Sequence, residues 1–164
     1  MSKVEVKKEQ IIQAVAFYLI SEGLADVGIR KLAAVSDTSD RMLIYYFGTK
    51  DGLIGEVLSF IASGFTSQLD VILGEHQRDA AQLVEEVLAL RNVPEFMSAI
   101  RLWFEVVGYA VRGEEPYAAY TKTVGQAWID WISSRLMPEQ ADQTLATFAE
   151  IEGRLMFYLI GIGS

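Results

Sequence analysis

The sequence of 164 residues contains no cysteine, one histidine and three prolines. Without cysteine, the chain has no disulfide bond, no thiolate metal site and no cysteine nucleophile. His76 follows Glu75 in a polar segment and is predicted to be solvated rather than to bind a metal. The sequence also has no phosphate-binding glycine loop and no metal-spaced set of carboxylates and histidines. We therefore expect a protein that is not an enzyme and that uses no metal and no cofactor.

Long hydrophobic runs are also scarce. The longest late apolar stretch, residues 155–163, has about half the length that a membrane-spanning helix needs. The first ten residues, MSKVEVKKEQ, are charged and lack the apolar core of an export signal. These features predict a cytoplasmic protein without a membrane partner.

Basic residues are outnumbered, 14 against 22 acidic ones, so the net charge is −8. The imbalance is uneven, because residues 1–50 carry seven basic and six acidic side chains whereas residues 51–164 carry seven and sixteen. A near-neutral first segment followed by an acidic body fits a protein that presents one end to DNA.

Hydrophobic residues make up 51% of the chain and recur three and four positions apart, which predicts an all-α protein. The predicted helices are Lys7–Glu22, Ile29–Val35, Asp40–Phe47, a long helix from Thr49 to Gly74, Arg78–Leu90, Glu95–Arg112, Pro116–Leu136 and Glu139–Ile162. The first three helices are expected to share one small core, made by Ile11, Val15, Leu19, Leu32, Leu43 and Phe47.

Residues 29–47, IRKLAAVSDTSDRMLIYYF, are the most informative stretch. They predict two short helices joined by the polar turn 36–39, which is a helix-turn-helix. The second helix of such a motif can enter the major groove of DNA. Its outward face would carry Asp40, Arg41, Met42, Ile44 and Tyr45.

The same stretch resembles a known family. Leu32-Ala33, the polar turn, Leu43, Tyr45-Tyr46-Phe47, Thr49-Lys50 and Leu53 are similar to the DNA-binding head of TetR-family (tetracycline-repressor-type) regulators. The similarity is sharp from Val6 to Val57 and looser beyond. It implies a three-helix DNA-binding domain over residues 1–50, linked by a long helix to a ligand-binding and dimerisation domain over residues 51–164. The implied function is a transcriptional regulator, more specifically a repressor, controlled by a small apolar or amphipathic effector.

Candidate DNA contacts follow from side-chain chemistry. Arg41 can bind guanine O6 and N7 in two-pronged fashion, while hydroxyls and cations at helix starts suit phosphates. Together with the positions that the resemblance implies, the candidate DNA-binding residues are Arg30, Lys31, Thr38, Ser39, Arg41, Met42, Tyr45, Tyr46 and Lys50.

The sequence departs from the TetR pattern at four positions. Asp37 stands where the family has a glycine, Asp40 where a basic residue is common, Met42 where a small polar residue is common, and Ile44 where an aromatic residue is common. Two acidic side chains would repel phosphates. An alternative is therefore a helical small-molecule-binding or scaffold dimer that has lost DNA binding.

Aromatic residues concentrate in the sixth and seventh predicted helices, where a few polar tips in an apolar setting suit a small-molecule pocket. The candidate pocket residues are Met97, Trp103, Phe104, Tyr109, Tyr117, Tyr120 and Trp128. Glu105, flanked by Phe104 and Val106, is either a polar group of this region or a partner of Arg101, four residues earlier, in a surface ion pair.

The last predicted helix is apolar on most sides, so we expect it to be covered by a second copy of the chain. By resemblance, it would pair with its predecessor across a twofold axis in a four-helix bundle. The candidate interface residues are Trp131, Leu136, Gly153, Met156, Phe157 and Ile160. In such a dimer, two DNA-binding domains about 34–36 Å apart, or a multiple of that spacing, would bind a palindromic operator.

Overall fold

The computed structural model describes residues 2–25 and 27–163, and in these residues it is all-α. Its helices are α1 (Lys3–Glu22), α2 (Ile29–Val35), α3 (Asp40–Phe47), α4 (Lys50–Leu73), α5 (Ala80–Ala89), α6 (Pro94–Ala110), α7 (Tyr117–Arg135) and α8 (Thr144–Leu159). Short 3₁₀ helices occupy Leu90–Asn92 and Pro138–Gln143. The one extended pairing of the described chain is an isolated parallel bridge between Arg78 and Leu136.

Helix ends differ from the prediction where a cap overrides the hydrophobic period. Helix α1 starts one turn early because the Ser2 hydroxyl accepts from the Glu5 N–H while the Glu5 carboxylate accepts from the Ser2 N–H. Helix α5 starts two residues late because the Asp79 side chain accepts from the Gln82 N–H.

The predicted last helix, 139–162, is too long at both ends. Its first residues form the 3₁₀ helix Pro138–Gln143, and α8 ends at Leu159. The chain turns there because Gly161 adopts a positive φ of 75°, a conformation that glycine accepts without steric cost.

Packing divides the chain into two compact units, of which the first comprises Met1–Ser63 and Glu105–Thr121. Its core contains the six residues predicted for the first three helices, Ile11, Val15, Leu19, Leu32, Leu43 and Phe47, each of which is buried. Leu53, Ile54 and Val57 of α4 are buried in the same unit. The predicted small core is therefore confirmed.

The second unit comprises Gly64–Phe104 and Lys122–Ser164. Helices α5 and α8 pack together in it, and Leu83, Val87, Ile132, Ile151 and Leu155 are almost inaccessible to solvent. This unit also buries two arginines, Arg78 and Arg135.

These units do not coincide with the predicted division at residue 50, because α4, α6 and α7 each contribute residues to both. The functional boundary at residue 50 stays a prediction. Among the described residues, α4 alone is long and apolar enough to cross a membrane, judged by length and composition.

Candidate nucleic-acid interface and aromatic cavity

Helices α2 and α3 form the predicted helix-turn-helix with the predicted bounds. Leu32 and Leu43 are fully buried between the helices and their neighbours. On the opposite side of α3, Arg41 is exposed, Ile44 is 45% exposed and Tyr45 is 70% exposed. The apolar face is thus used for packing, and a mixed face with one arginine is left to the solvent.

The turn between these helices is held by short-range hydrogen bonds. The buried Ser36 hydroxyl donates to the Leu32 carbonyl over 2.7 Å, and the Ser39 hydroxyl caps α3 by accepting from the Met42 N–H. Asp37 has a φ of 47° and is the one non-glycine residue of the described chain with a positive φ. The position where the family has glycine therefore keeps the left-handed conformation that favours glycine.

The cations of the motif are weakly engaged. The Lys50 ammonium donates to the Val27 carbonyl over 3.3 Å, and the nearest atoms of Arg30 and Asp40 are 3.8 Å apart, with the Arg30 side chain 94% exposed. No described residue forms an ion pair with Arg41. Its positive charge is therefore free to bind an external anion or base.

An open groove joins these groups on one surface of the motif. It is lined by Ile29, Asp40, Arg41, Ile44 and Lys50. Elsewhere on the motif, the Tyr45 and Tyr46 rings meet edge to face with centroids 5.2 Å apart, and the Lys31 ammonium lies 5.5 Å from the centre of the Tyr18 ring. Of the candidate DNA-binding residues, Arg41 and Lys50 line the groove, and Ser39 is engaged as a helix cap.

The candidate pocket residues are divided between the two units. Tyr109 and Tyr117 stack with ring centroids 4.9 Å apart in the first unit, where the Tyr120 hydroxyl donates to the Leu58 carbonyl over 2.6 Å. Burial raises the pKa of Tyr120 well above its ordinary value. These tyrosines pack within the first unit, and Met97 is buried in the second.

Trp103, Phe104 and Trp128 do come together, around a narrow cavity of the second unit. The cavity is lined by Ile100, Trp103, Phe104, Trp128, Phe148, Ile151, Glu152 and Leu155. Its free volume is about 10 Å³, roughly the space of one water molecule. The site as it stands is closed.

The polar group of this cavity is a carboxylate that was not among the predicted site residues. The Trp103 indole N–H donates to Glu152 Oε1 over 2.5 Å. Burial raises the pKa of Glu152 above its ordinary value, and the Trp103 hydrogen bond opposes that rise only in part. A signal was present, since Glu152 lies four residues after Phe148 and three before Leu155, on the same helical stripe as these two apolar residues.

The candidate interface residues separate into two sets. Trp131 and Leu136 are buried within the second unit, so their side chains offer no surface to a second copy, which corrects the prediction for them. By contrast, Met156 is 39% exposed, Phe157 46% and Ile160 62%. A Cβ added at Gly153 of the same helix would meet no atom within 4 Å.

Glu105 does not pair with Arg101. Its carboxylate accepts from the Leu24 N–H over 2.6 Å within the first unit, just after α1 ends. An added Cβ at Gly23, whose φ is 79°, would lie 2.5 Å from Glu105 Oε1. The close approach of this carboxylate, in addition to the positive φ, therefore favours glycine at position 23.

Metal-binding groups of histidine, aspartate and glutamate are absent from the described residues. No family model matches the sequence. Over 82 residues the chain is 29% identical to the HTH-type transcriptional repressor NicS of Pseudomonas putida, a match that covers 50% of the chain and 38% of NicS. The chain therefore spans well under two thirds of that relative.

Solved structures match over almost the whole chain. A protein of Rhodococcus sp. described as a TetR-family transcriptional regulator has a TM-score of 0.72 at 21% identity, covering 96% of this chain and 89% of the other. GusR of Salmonella enterica has a TM-score of 0.64 at 16% identity, covering 94% and 84%. A further chain described as a TetR-family regulator, from Mesorhizobium loti MAFF303099, has a TM-score of 0.52 at 21% identity, covering 94% and 72%. The predicted all-α class is confirmed, and the fold is the one found in TetR-family structures.

Proposed function

From the TetR-family fold of this chain, we propose that the protein is a dimeric transcriptional repressor that binds operator DNA in the cytoplasm and responds to a small molecule. The repressor name of NicS and the regulator descriptions of two of the matching structures support this proposal, and they name no enzyme. The observation that carries it is the exposed face of α3, where Arg41 has no ionic partner among the described residues.

The recognition chemistry follows from the groups on that face. Arg41 lies near the start of α3, which is the part of a recognition helix that contacts base edges, and it suits guanine. Ile44 lies one turn further on and offers an apolar contact to a thymine methyl group. Lys50, at the start of α4, is placed to bind a phosphate together with the positive end of that helix.

The test is the affinity of the full chain for its selected genomic DNA fragments as a function of salt. For the unaltered protein we expect a steep fall in affinity with rising salt, since each bound phosphate releases counterions. The double substitution Arg41→Ala with Lys50→Ala should weaken binding at every salt concentration. It should also flatten the slope by about one unit for each phosphate that the variant no longer binds.

A matched control removes the same two charges elsewhere, through Arg101→Ala with Lys122→Ala, because Arg101 is exposed and Lys122 is also exposed. It should leave DNA binding nearly unchanged. Equal losses in the two double variants would mean that net charge, not the α3 face, governs affinity, and salt-independent binding would contradict the proposal.

The thymine contact has its own readout. Replacing thymine by deoxyuridine in the selected site removes a single methyl group. This replacement should weaken binding of the unaltered protein and leave Ile44→Ala unaffected. An equal loss in both proteins would place the methyl contact elsewhere.

The dimer part of the proposal rests on two faces of α8. Ile151 and Leu155 lie on its buried face, whereas Met156, Phe157 and Ile160 form an uncovered apolar face. Such a face is unfavourable in water unless another surface covers it. A second copy of the chain would cover it and would also supply the second head that a palindromic operator needs.

Sedimentation tests this surface. Phe157→Glu should shift the protein from dimer to monomer and abolish high-affinity operator binding. Val111→Glu, at a valine that is 79% exposed in the first unit, is the matched control and should leave the mass unchanged. A Phe157→Glu protein that is still dimeric would exclude this face as the interface.

A second candidate function is a small-molecule-binding dimer without DNA binding. Asp37 and Asp40 favour it, since Asp37 adds negative charge to the turn of the motif and Asp40 adds it to the lining of the groove, where it would repel phosphates. The salt titration distinguishes the two, because this alternative predicts almost no binding to duplex DNA at any salt concentration.

A further inference from the structure

We propose that the cavity around Trp103 and Glu152 binds a small aromatic or otherwise hydrophobic cation, such as a protonated amine. This inference rests on the proposed function and deepens it, because it gives the chemical class of the effector. Its basis is the position of one carboxylate among aromatic rings inside the second unit.

The carboxylate lacks a compensating charge. Glu152 receives one hydrogen bond, from the Trp103 indole, and no described residue forms an ion pair with it. The nearest arginine along the same helix, Arg154, is engaged by Glu85 at 2.7 Å and by Glu150 at 3.4 Å. A half-buried carboxylate without a cation is costly, and a bound cation would lower that cost.

The surrounding rings favour the same ligand class. Trp128 and Phe148 lie nearly parallel, with an interplanar angle of 19° and centroids 6.2 Å apart, and Trp103 and Phe104 line the same cavity. The faces of aromatic rings carry partial negative charge and attract cations, most strongly where water is excluded. An anion would be repelled by both the ring faces and the carboxylate. A neutral ligand would lack the electrostatic attraction that a cation has to both.

The cavity is closed in this structure, with free space for about one water molecule. A larger ligand must therefore move the lining side chains of α6, α7 and α8. Binding would select a state of the second unit that differs from the present one, which is the property that an effector site requires.

The experiment compares three soluble probes of similar shape, benzylammonium, benzyl alcohol and benzoate, binding to the full-length protein. Binding is followed by tryptophan fluorescence and by calorimetry at neutral pH. We expect benzylammonium to bind at least about tenfold more tightly than either of the other two, in line with cation–π and charge contributions in a desolvated site.

Glu152→Gln keeps an oxygen that can accept from Trp103 and removes the charge, so it should abolish the preference for benzylammonium. Glu150→Gln, on the exposed side of the same helix, is the matched control and should keep it. Thermal melting confirms that each variant is folded.

Equal affinities of the unaltered protein for the three probes would overturn the inference, as would an unchanged preference in Glu152→Gln or no saturable binding of benzylammonium. The unaltered protein reports on the proposed function separately, through its salt-dependent DNA affinity without any probe. An absent cation preference with intact DNA binding overturns this inference alone. A cation preference without DNA binding overturns the repressor proposal and leaves the cavity assignment standing.

Discussion

Arginines serve opposite purposes in the helix-turn-helix and in the second unit. In the motif, Arg30 and Arg41 are both exposed; Arg30 forms only a long ion pair with Asp40, at 3.8 Å, and Arg41 has no ionic partner among the described residues. In the second unit, Arg78 and Arg135 are buried and tied to their surroundings: Arg78 lies 2.7 Å from Glu86, and Arg135 pairs with Asp70. The arginines of the motif are therefore available to an outside partner, whereas those of the second unit are already bound to groups of the same chain.

Net charge alone hides this difference. The chain is acidic overall, and a whole-chain charge of −8 would argue against nucleic-acid binding. What matters for binding is which cations have no ionic partner at a surface, and Arg41 of the motif meets that condition. Three experiments test the difference between the two regions. They remove the buried Arg78, titrate Asp70 and Glu152 of the second unit, and replace Asp37 in the turn of the motif.

The largest effect should come from Arg78, whose side chain is completely buried. It donates to the Leu73 carbonyl over 2.5 Å and pairs with Glu86, but its Nη1 has no hydrogen-bond partner among the described residues. Arg78→Ala should lower the free energy of unfolding by about 3 kcal/mol, because it leaves Glu86 unpaired and opens a cavity. Urea denaturation measures the loss.

Two further variants sharpen this prediction. Arg101→Ala, at an exposed arginine, should change the free energy of unfolding by less than about 0.5 kcal/mol. The double variant Arg78→Met with Glu86→Leu should lose less than Arg78→Ala, since it removes the unpaired charge and retains apolar volume. A double variant as unstable as the single one would show that the charge pair itself stabilises the unit.

Local features were predictable from the sequence because their causes are local. The bounds of α2 and α3 were predicted correctly, since Ser39 caps α3 within three residues and Gly48 ends it with a φ of 76°. The exposed face of α3 follows from the 3.6-residue period alone. The α1 start was missed although its capping box, at Ser2 and Glu5, is equally local.

The cavity could not be predicted in the same way. Trp103 and Glu152 are 49 residues apart, and no periodicity indicates that their helices place them 2.5 Å from each other. Aromatic content alone grouped Tyr109, Tyr117 and Tyr120 with Trp103, whereas these tyrosines pack within the first unit. Likewise, Trp131 was predicted to contact a second copy of the chain. The sequence does not indicate that its indole N–H donates to Asp70, which is 61 residues away.

The next effect concerns two carboxylates of the second unit with opposite pKa shifts. Burial raises the pKa of Asp70, but hydrogen bonds from Trp131 and Arg135 outweigh it, so the net shift is downward. Burial raises the pKa of Glu152, and its one hydrogen bond does not reverse the shift. Ionised Asp70 therefore stabilises the fold, whereas ionised Glu152 destabilises it.

Asp70→Asn should lower the free energy of unfolding at neutral pH by about 1 kcal/mol, and the gap should close as the pH falls through the folded pKa of Asp70. Glu152→Gln should raise the free energy of unfolding at neutral pH, with a gap that opens as the pH rises through the pKa of Glu152. Denaturation across acidic to neutral pH measures both gaps. Asp130→Asn, at a carboxylate outside both pairs, is the control, and pH-independent gaps would contradict the assignment.

We expect the smallest effect from substitutions of Asp37, in the turn of the helix-turn-helix. Its φ of 47° strains a residue with a Cβ, so Asp37→Gly should raise the free energy of unfolding by about 0.5–1 kcal/mol. Asp37→Asn removes the charge but keeps the Cβ, and it should leave stability nearly unchanged. Both variants should bind DNA more tightly at low salt, because a negative charge in the turn between α2 and α3 is removed. Tighter binding by Asp37→Gly alone would show that turn geometry, rather than charge, limits the present motif.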